Sequence, residues 1–144
     1  MGKLDQKSFT RDFFKGLKSA KGNLNIKIND NAKTFPVERA EIGAKDIALY
    51  FDMSKDNPDF NSFIGLVISK DALRQKVELP NIGVYLLFQD AEATPPQEWL
   101  ASSGWVRVEW EEGSSRVQGL MNFRSDKDDY AVLEDGKFDV TIGQ

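Results

Sequence analysis

The residues best placed to do chemistry in this sequence lie on one predicted strand, Trp105-Val106-Arg107-Val108-Glu109-Trp110-Glu111. Alternation puts Trp105, Arg107, Glu109 and Glu111 on one face and Val106, Val108 and Trp110 on the other. Carboxylates at i and i+2 on a strand stand about 7 Å apart. Carboxylate-dependent glycosidases use a separation of that order, and a neighbouring indole can stack on a sugar. The same pattern also describes the wet face of any antiparallel strand, and no third acid completes a signature. A solvated face is therefore expected first, a carbohydrate-binding surface second and a carboxylate-based hydrolase third.

Other reactive chemistry is sparse. The 144 residues include no His and no Cys. That excludes imidazole general bases, thiol nucleophiles, thiolate metal sites and disulfides. No Gly-rich segment joins a strand to a helix in the order a phosphate loop needs. Acidic loops at Asp52, Asp56 and Asp59 and at Asp126, Asp128 and Asp129 carry the hard oxygen ligands that calcium prefers. Neither follows the EF-hand pattern, and Asp is also a turn residue, so turns are the expected role. No cofactor is expected.

Charge is divided unevenly along the chain. Residues 1–21 hold six Lys or Arg against two Asp, a net of +4, which leaves 13 basic and 21 acidic residues elsewhere, a net of −8. The overall −4 argues against nucleic acid as a partner. In the leader Phe9, Phe13 and Leu17 recur every four residues while Lys7, Arg11, Lys15 and Lys18 recur on another face. With Ser8 as cap and Gly22 as stop, this predicts an amphipathic helix over 1–21. Its apolar side is expected to pack on the body. The alternatives are a basic amphipathic segment that docks on a membrane surface or in a partner's groove, and a removable regulatory arm.

Beyond Gly22 the apolar period changes from 3.6 to 2. Leu24-Ile26-Ile28, Ile47-Leu49-Phe51-Met53, Val106-Val108-Trp110, Val117-Gly119-Met121-Phe123 and Phe138-Val140-Ile142 each read as a half-wet strand. Phe63–Ile68 and Ile82–Phe88 are nearly unbroken apolar runs, as expected of strands covered on both faces. Weaker strands fall at Thr34–Arg39 and Tyr130–Leu133. Asp135-Gly136 and Glu112-Gly113-Ser114 predict hairpin turns. Thr94-Pro95-Pro96-Gln97 predicts a short helix carrying Trp99, and Lys70–Lys76 a brief helical turn. Gly119 predicts a bulge or a close crossing rather than a site.

The expected architecture is mainly β: one domain, an antiparallel β-sandwich or partly closed barrel of about eight or nine strands, with an N-terminal amphipathic helix on an acidic body over 23–144. The opening residues carry no apolar run resembling a secretory leader, so a cytoplasmic setting is expected. The expected role is a non-enzymatic protein-interaction module, adaptor, inhibitor or immunity-type, acting as monomer or homodimer. Its contact residues would come from Lys7, Arg11, Lys15, Lys18, Trp99, Trp105, Arg107, Glu109 and Glu111. A carbohydrate- or calcium-binding β-module and the hydrolase are the alternatives.

Overall fold

Alternation of small wet and apolar residues leaves the backbone little choice but extended pairing, and strands account for most of the chain. The computed structural model describes residues 13–14, 16–28, 30–52, 63–79, 81–90, 97–101, 103–124 and 132–142. The strands are β1 (Lys18–Ile28), β2 (Asn31–Ile42), β3 (Asp46–Asp52), β4 (Phe63–Ser69), β5 (Val77–Glu78), β6 (Val84–Asp90), β7 (Gln97–Leu100), β8 (Ser103–Glu109), β9 (Arg116–Arg124) and β10 (Val132–Ile142). Their order is β5-β8-β9-β10-β1-β2-β3-β4-β6-β7, and every pairing is antiparallel.

Two interrupted staves close this sheet into a small barrel. β7 and β8 are one run of chain bent near Ala101, whose first half pairs with β6 and whose second half pairs with β9. Beyond the bend, β5 replaces β6 as the neighbour of β8, with Val77 opposite Val106 and Glu78 opposite Trp105. The Leu79 N–H donates to Gly104 O at 2.9 Å and the Ala101 N–H to Leu86 O at 2.9 Å, which carries the ladders up to the bend from both sides. The first and last long strands, β1 and β10, pair from Ala20–Ile142 to Ile28–Leu133. Closure leaves few free edges, the usual liability of a long antiparallel sheet.

The barrel is filled rather than hollow at its described positions. Leu24, Phe35, Leu49, Phe51, Leu66, Val106, Val117, Met121, Phe138 and Val140 all point inward and are at most 2 % exposed. Each such aliphatic or aromatic side chain contributes roughly 1.5–3 kcal/mol by leaving water. Gly119 faces Phe138 directly across the β9–β10 ladder, and a Cβ there would lie 2.3 Å from the Phe138 ring. Gly119 thus marks neither a bulge in β9 nor a crossing of two sheets, but a place where a ring lies over bare backbone.

Several expectations need correction. The helix over 1–21 is not supported: β1 begins at Lys18, so Lys18–Lys21 are strand, and among the described residues ahead of β1 Phe13 and Phe14 are helical. Residues 1–12 and 15 lie outside the described residues. Gly22 is no helix stop. It sits inside β1 at φ +139°, opposite Val140, where a Cβ would lie 2.1 Å from Asp139 O. Ladder bonds to β2 and β10 over the whole length of β1 outweigh the local capping signals.

Asp135-Gly136 is a bulge inside one continuous strand, β10, rather than a hairpin turn. Asp135 takes φ 55°, and its N–H donates to Asn122 Oδ1 at 3.0 Å. Turns and bulges can both use a left-handed residue, and here the neighbouring ladders decide between them. Gln97–Leu100 pair with β6 as β7, so the predicted helix carrying Trp99 is a strand; Thr94–Pro96 lie outside the described residues. The turn at Glu112–Ser114 and the helical turn, realised as a 3₁₀ turn at Lys70–Ala72, are as expected.

Candidate functional site

The predicted alternation of β8 is realised. Val106 and Val108 are fully buried inside the barrel, and Trp105, Arg107 and Glu109 face outward. The indole of Trp110 is also buried, with Nε1 donating to Ser114 O at 2.8 Å. Glu111 lies just past the strand and is exposed. Arg107 Nε meets Glu109 Oε1 at 2.6 Å, so the first of the two carboxylates is paired with a guanidinium rather than with the second.

Register assembles the rest of the surface. Arg107 lies opposite Leu120 of β9, and Leu120 opposite Lys137 of β10. Leu120 is 42 % exposed, an apolar side chain standing in solvent between two cations. In the next row Glu109, Gln118 and Asp139 stand side by side. Arg116 forks onto Asp139, Nε to Oδ1 at 3.0 Å and Nη2 to Oδ2 at 2.7 Å. This hydrogen-bonded guanidinium holds the Asp139 carboxyl below the usual carboxylate range, against a smaller upward push from desolvation. The same bond raises the Arg116 guanidinium.

Two shallow hollows mark the face. One of about 400 Å³ lies among Arg74, Trp110, Glu111, Ser114 and Arg116; the other, about 320 Å³, among Arg107, Leu120, Lys137 and Asp139. Glu109 and Gln118 form their shared rim. The connector after β4 straps one side: the Arg74 N–H donates to Val108 O at 2.9 Å and its Nη2 to Trp110 O at 2.6 Å. Lys70 Nζ sits 4.5 Å from the Trp110 ring centroid and Lys76 Nζ 4.9 Å from that of Trp105. A cation over each indole face adds a modest attraction.

Of the predicted contact residues, Trp105, Arg107 and Glu109 are brought together on β8, and Glu111 lines the larger hollow beside them. Lys18 is exposed on β1, and Trp99 lies on β7 with its side chain outside the described set. Lys7, Arg11 and Lys15 lie outside the described residues, as do the acidic positions 56, 59, 126, 128 and 129. Among the described residues no three carboxylates gather as a metal site would require. Sequence reasoning missed Arg74, Arg116, Leu120, Lys137 and Asp139. The alternation of β9 and β10 marks the last four as outward, but only strand register shows that they share a face with β8. Set beside protein-family models, curated proteins and solved structures, the chain matches none of them.

Proposed function

We propose that this protein is a non-enzymatic interaction module, active in the cytoplasm, that docks a protein partner on the outward face of β8, β9 and β10. One observation carries the reading: Leu120, 42 % exposed, stands between Arg107 and Lys137 on a face already ordered by two carboxylate–guanidinium pairs. An apolar centre inside a polar, charge-paired rim is the anatomy of a protein contact. Arg107 is paired with Glu109 along its own strand and Arg116 with Asp139 across the ladder, so each guanidinium has a preferred direction on this face. The exposed position of Leu120 also means that a polar replacement costs the fold little.

The test is affinity capture with the full chain and its Leu120→Glu variant as matched baits, each shown to keep the same melting transition. At least one protein held by the wild type and lost from the variant supports the reading. Identical captured sets refute it.

A further inference from the structure

The outward face of β3, β4 and β6 is the opposite of the face just described. Ala48, Tyr50, Phe63, Val67, Tyr85 and Leu87 point away from the barrel interior, yet each is at most 8 % exposed. Phe14 and Leu17, at 0 % and 5 %, cover them, with Phe13 packed partly alongside. This apolar cluster is separate from the barrel core, because the backbone of the sheet lies between the two.

The fit is specific. Gly65 is the one residue of β4 without a side chain, and a Cβ there would lie 2.6 Å from the Phe14 ring. Tyr50 stacks on Phe14 at 5.8 Å between centroids and 14° between planes, and Phe63 closes the side of Tyr50 at 5.3 Å. Leu17 follows three residues later, its N–H donating to Phe14 O at 3.2 Å and its carbonyl accepting from Arg39 Nη1 at 2.9 Å. The socket thus reads an aromatic residue, a spacing of three and an aliphatic residue.

We propose that this face is a peptide-docking groove for a Phe-x-x-Leu segment, and that its occupant is the chain's own N-terminal segment, bound as a separable ligand rather than as part of the core. Charge favours the same occupant: residues 1–17, ahead of β1, carry a net +2 against a net −6 in the rest of the chain. A groove filled in cis is unavailable in trans, and its apparent affinity for an added segment falls by the fraction of time it stands empty.

A labelled synthetic peptide carrying residues 8–18 is the probe, titrated against the full-length wild type, Phe14→Ala and the double variant Phe14→Ala/Gly65→Ala. The Phe14→Ala chain is expected to bind at least about tenfold more tightly than the wild type, with its own segment no longer competing. The double variant should fall back, because a Cβ at residue 65 intrudes on the socket, and a probe with Phe14 replaced by Ala should not bind. Equal binding by wild type and Phe14→Ala overturns the proposal, as does undiminished binding by the double variant.

Hydrogen exchange on the wild type supplies the second measurement. The Leu17 amide is expected to exchange at least about a hundredfold faster than the Leu66 and Ile68 amides of β4, by opening of the segment alone. Equal protection, or a Phe14→Ala chain that no longer folds, makes the segment integral to the core and ends the proposal.

Discussion

Two outward faces of one barrel have opposite fates. On β3, β4 and β6 the outward positions are Tyr50, Phe63, Val67, Tyr85 and Leu87, all buried together with Phe14 and Leu17, with Phe13 packed alongside. On β8, β9 and β10 they are Arg107, Glu109, Gln118, Leu120, Lys137 and Asp139, facing water. Inward positions on both sides are equally apolar. The difference teaches that a stave's outward residues record what lies over them: an unbroken apolar run implies cover on both sides, and an alternating run implies cover on one.

The largest expected effect comes from removing the cover. Phe14→Ala should destabilise the chain by about 3 kcal/mol, at the lower end for a buried Phe because the vacated site opens to solvent instead of leaving a sealed void. Denaturant melts of the two proteins measure it. A loss under about 0.5 kcal/mol, the level of an ordinary surface change, would mean that the face is not covered.

Gly65→Ala should cost about 1–3 kcal/mol by crowding the Phe14 ring from below. In the Phe14→Ala background that cost should largely vanish, since the ring it crowds is gone; a double-mutant cycle measures the coupling. Additive costs would place the penalty in β4 itself.

Asp46, at the start of β3, gives a smaller effect of opposite sign. Burial first, and Glu41 second, push its carboxyl above the ordinary value, with Lys70 opposing. A carboxyl raised on folding weakens the fold where it is ionised and ceases to do so below its unfolded value of about 4. Asp46→Asn should therefore raise the melting temperature at pH 7, and the gain should disappear as the pH falls to about 3. A variant less stable at pH 7 would show that the charged form is favoured here.

The open face should respond least. Leu120→Ala is expected to change stability by no more than about 0.5 kcal/mol. Asp139→Asn should lower the melting temperature slightly at low ionic strength and not at about 1 M salt, because both partners of the Arg116 pair are more than half solvated or nearly so, at 60 % and 50 %. Its carboxyl is held low on folding, so this contribution is present above the ordinary aspartate value and lost as the pH falls through the depressed one. A salt-independent loss would mean the pair is shielded from solvent.

Much of this contrast is legible in the amino-acid sequence. The uninterrupted Phe63–Ile68 run announced cover on both faces, and Val106 and Val108 against Trp105, Arg107 and Glu109 announced the two sides of β8. What misled were local signals with two solutions. Asp135 adopts the left-handed conformation that a hairpin turn uses, yet Asn122 Oδ1 takes its N–H and the chain runs on as a bulged strand. Gln97–Leu100 follow a helix-start pattern and still pair with β6. Lys18–Lys21 extend an amphipathic helical period and still pair with β2 and β10. In each case the deciding partner lies on another strand, as near as Asp90 opposite Gln97 and as far as Ile142 opposite Ala20, and the local pattern carries no record of it. The candidate site was legible on one strand and hidden across the other two for the same reason, since register alone sets Leu120 between Arg107 and Lys137.

Hydroxyl-radical footprinting of the intact chain tests the contrast between the faces most directly, since it reads side-chain exposure residue by residue. Tyr50 and Phe63, intrinsically more reactive than any aliphatic side chain, should be protected while Leu120 and Trp105 are oxidised readily. Tyr50 reacting as fast as Leu120 would contradict the account, because the face assigned to the N-terminal segment would then stand open to water.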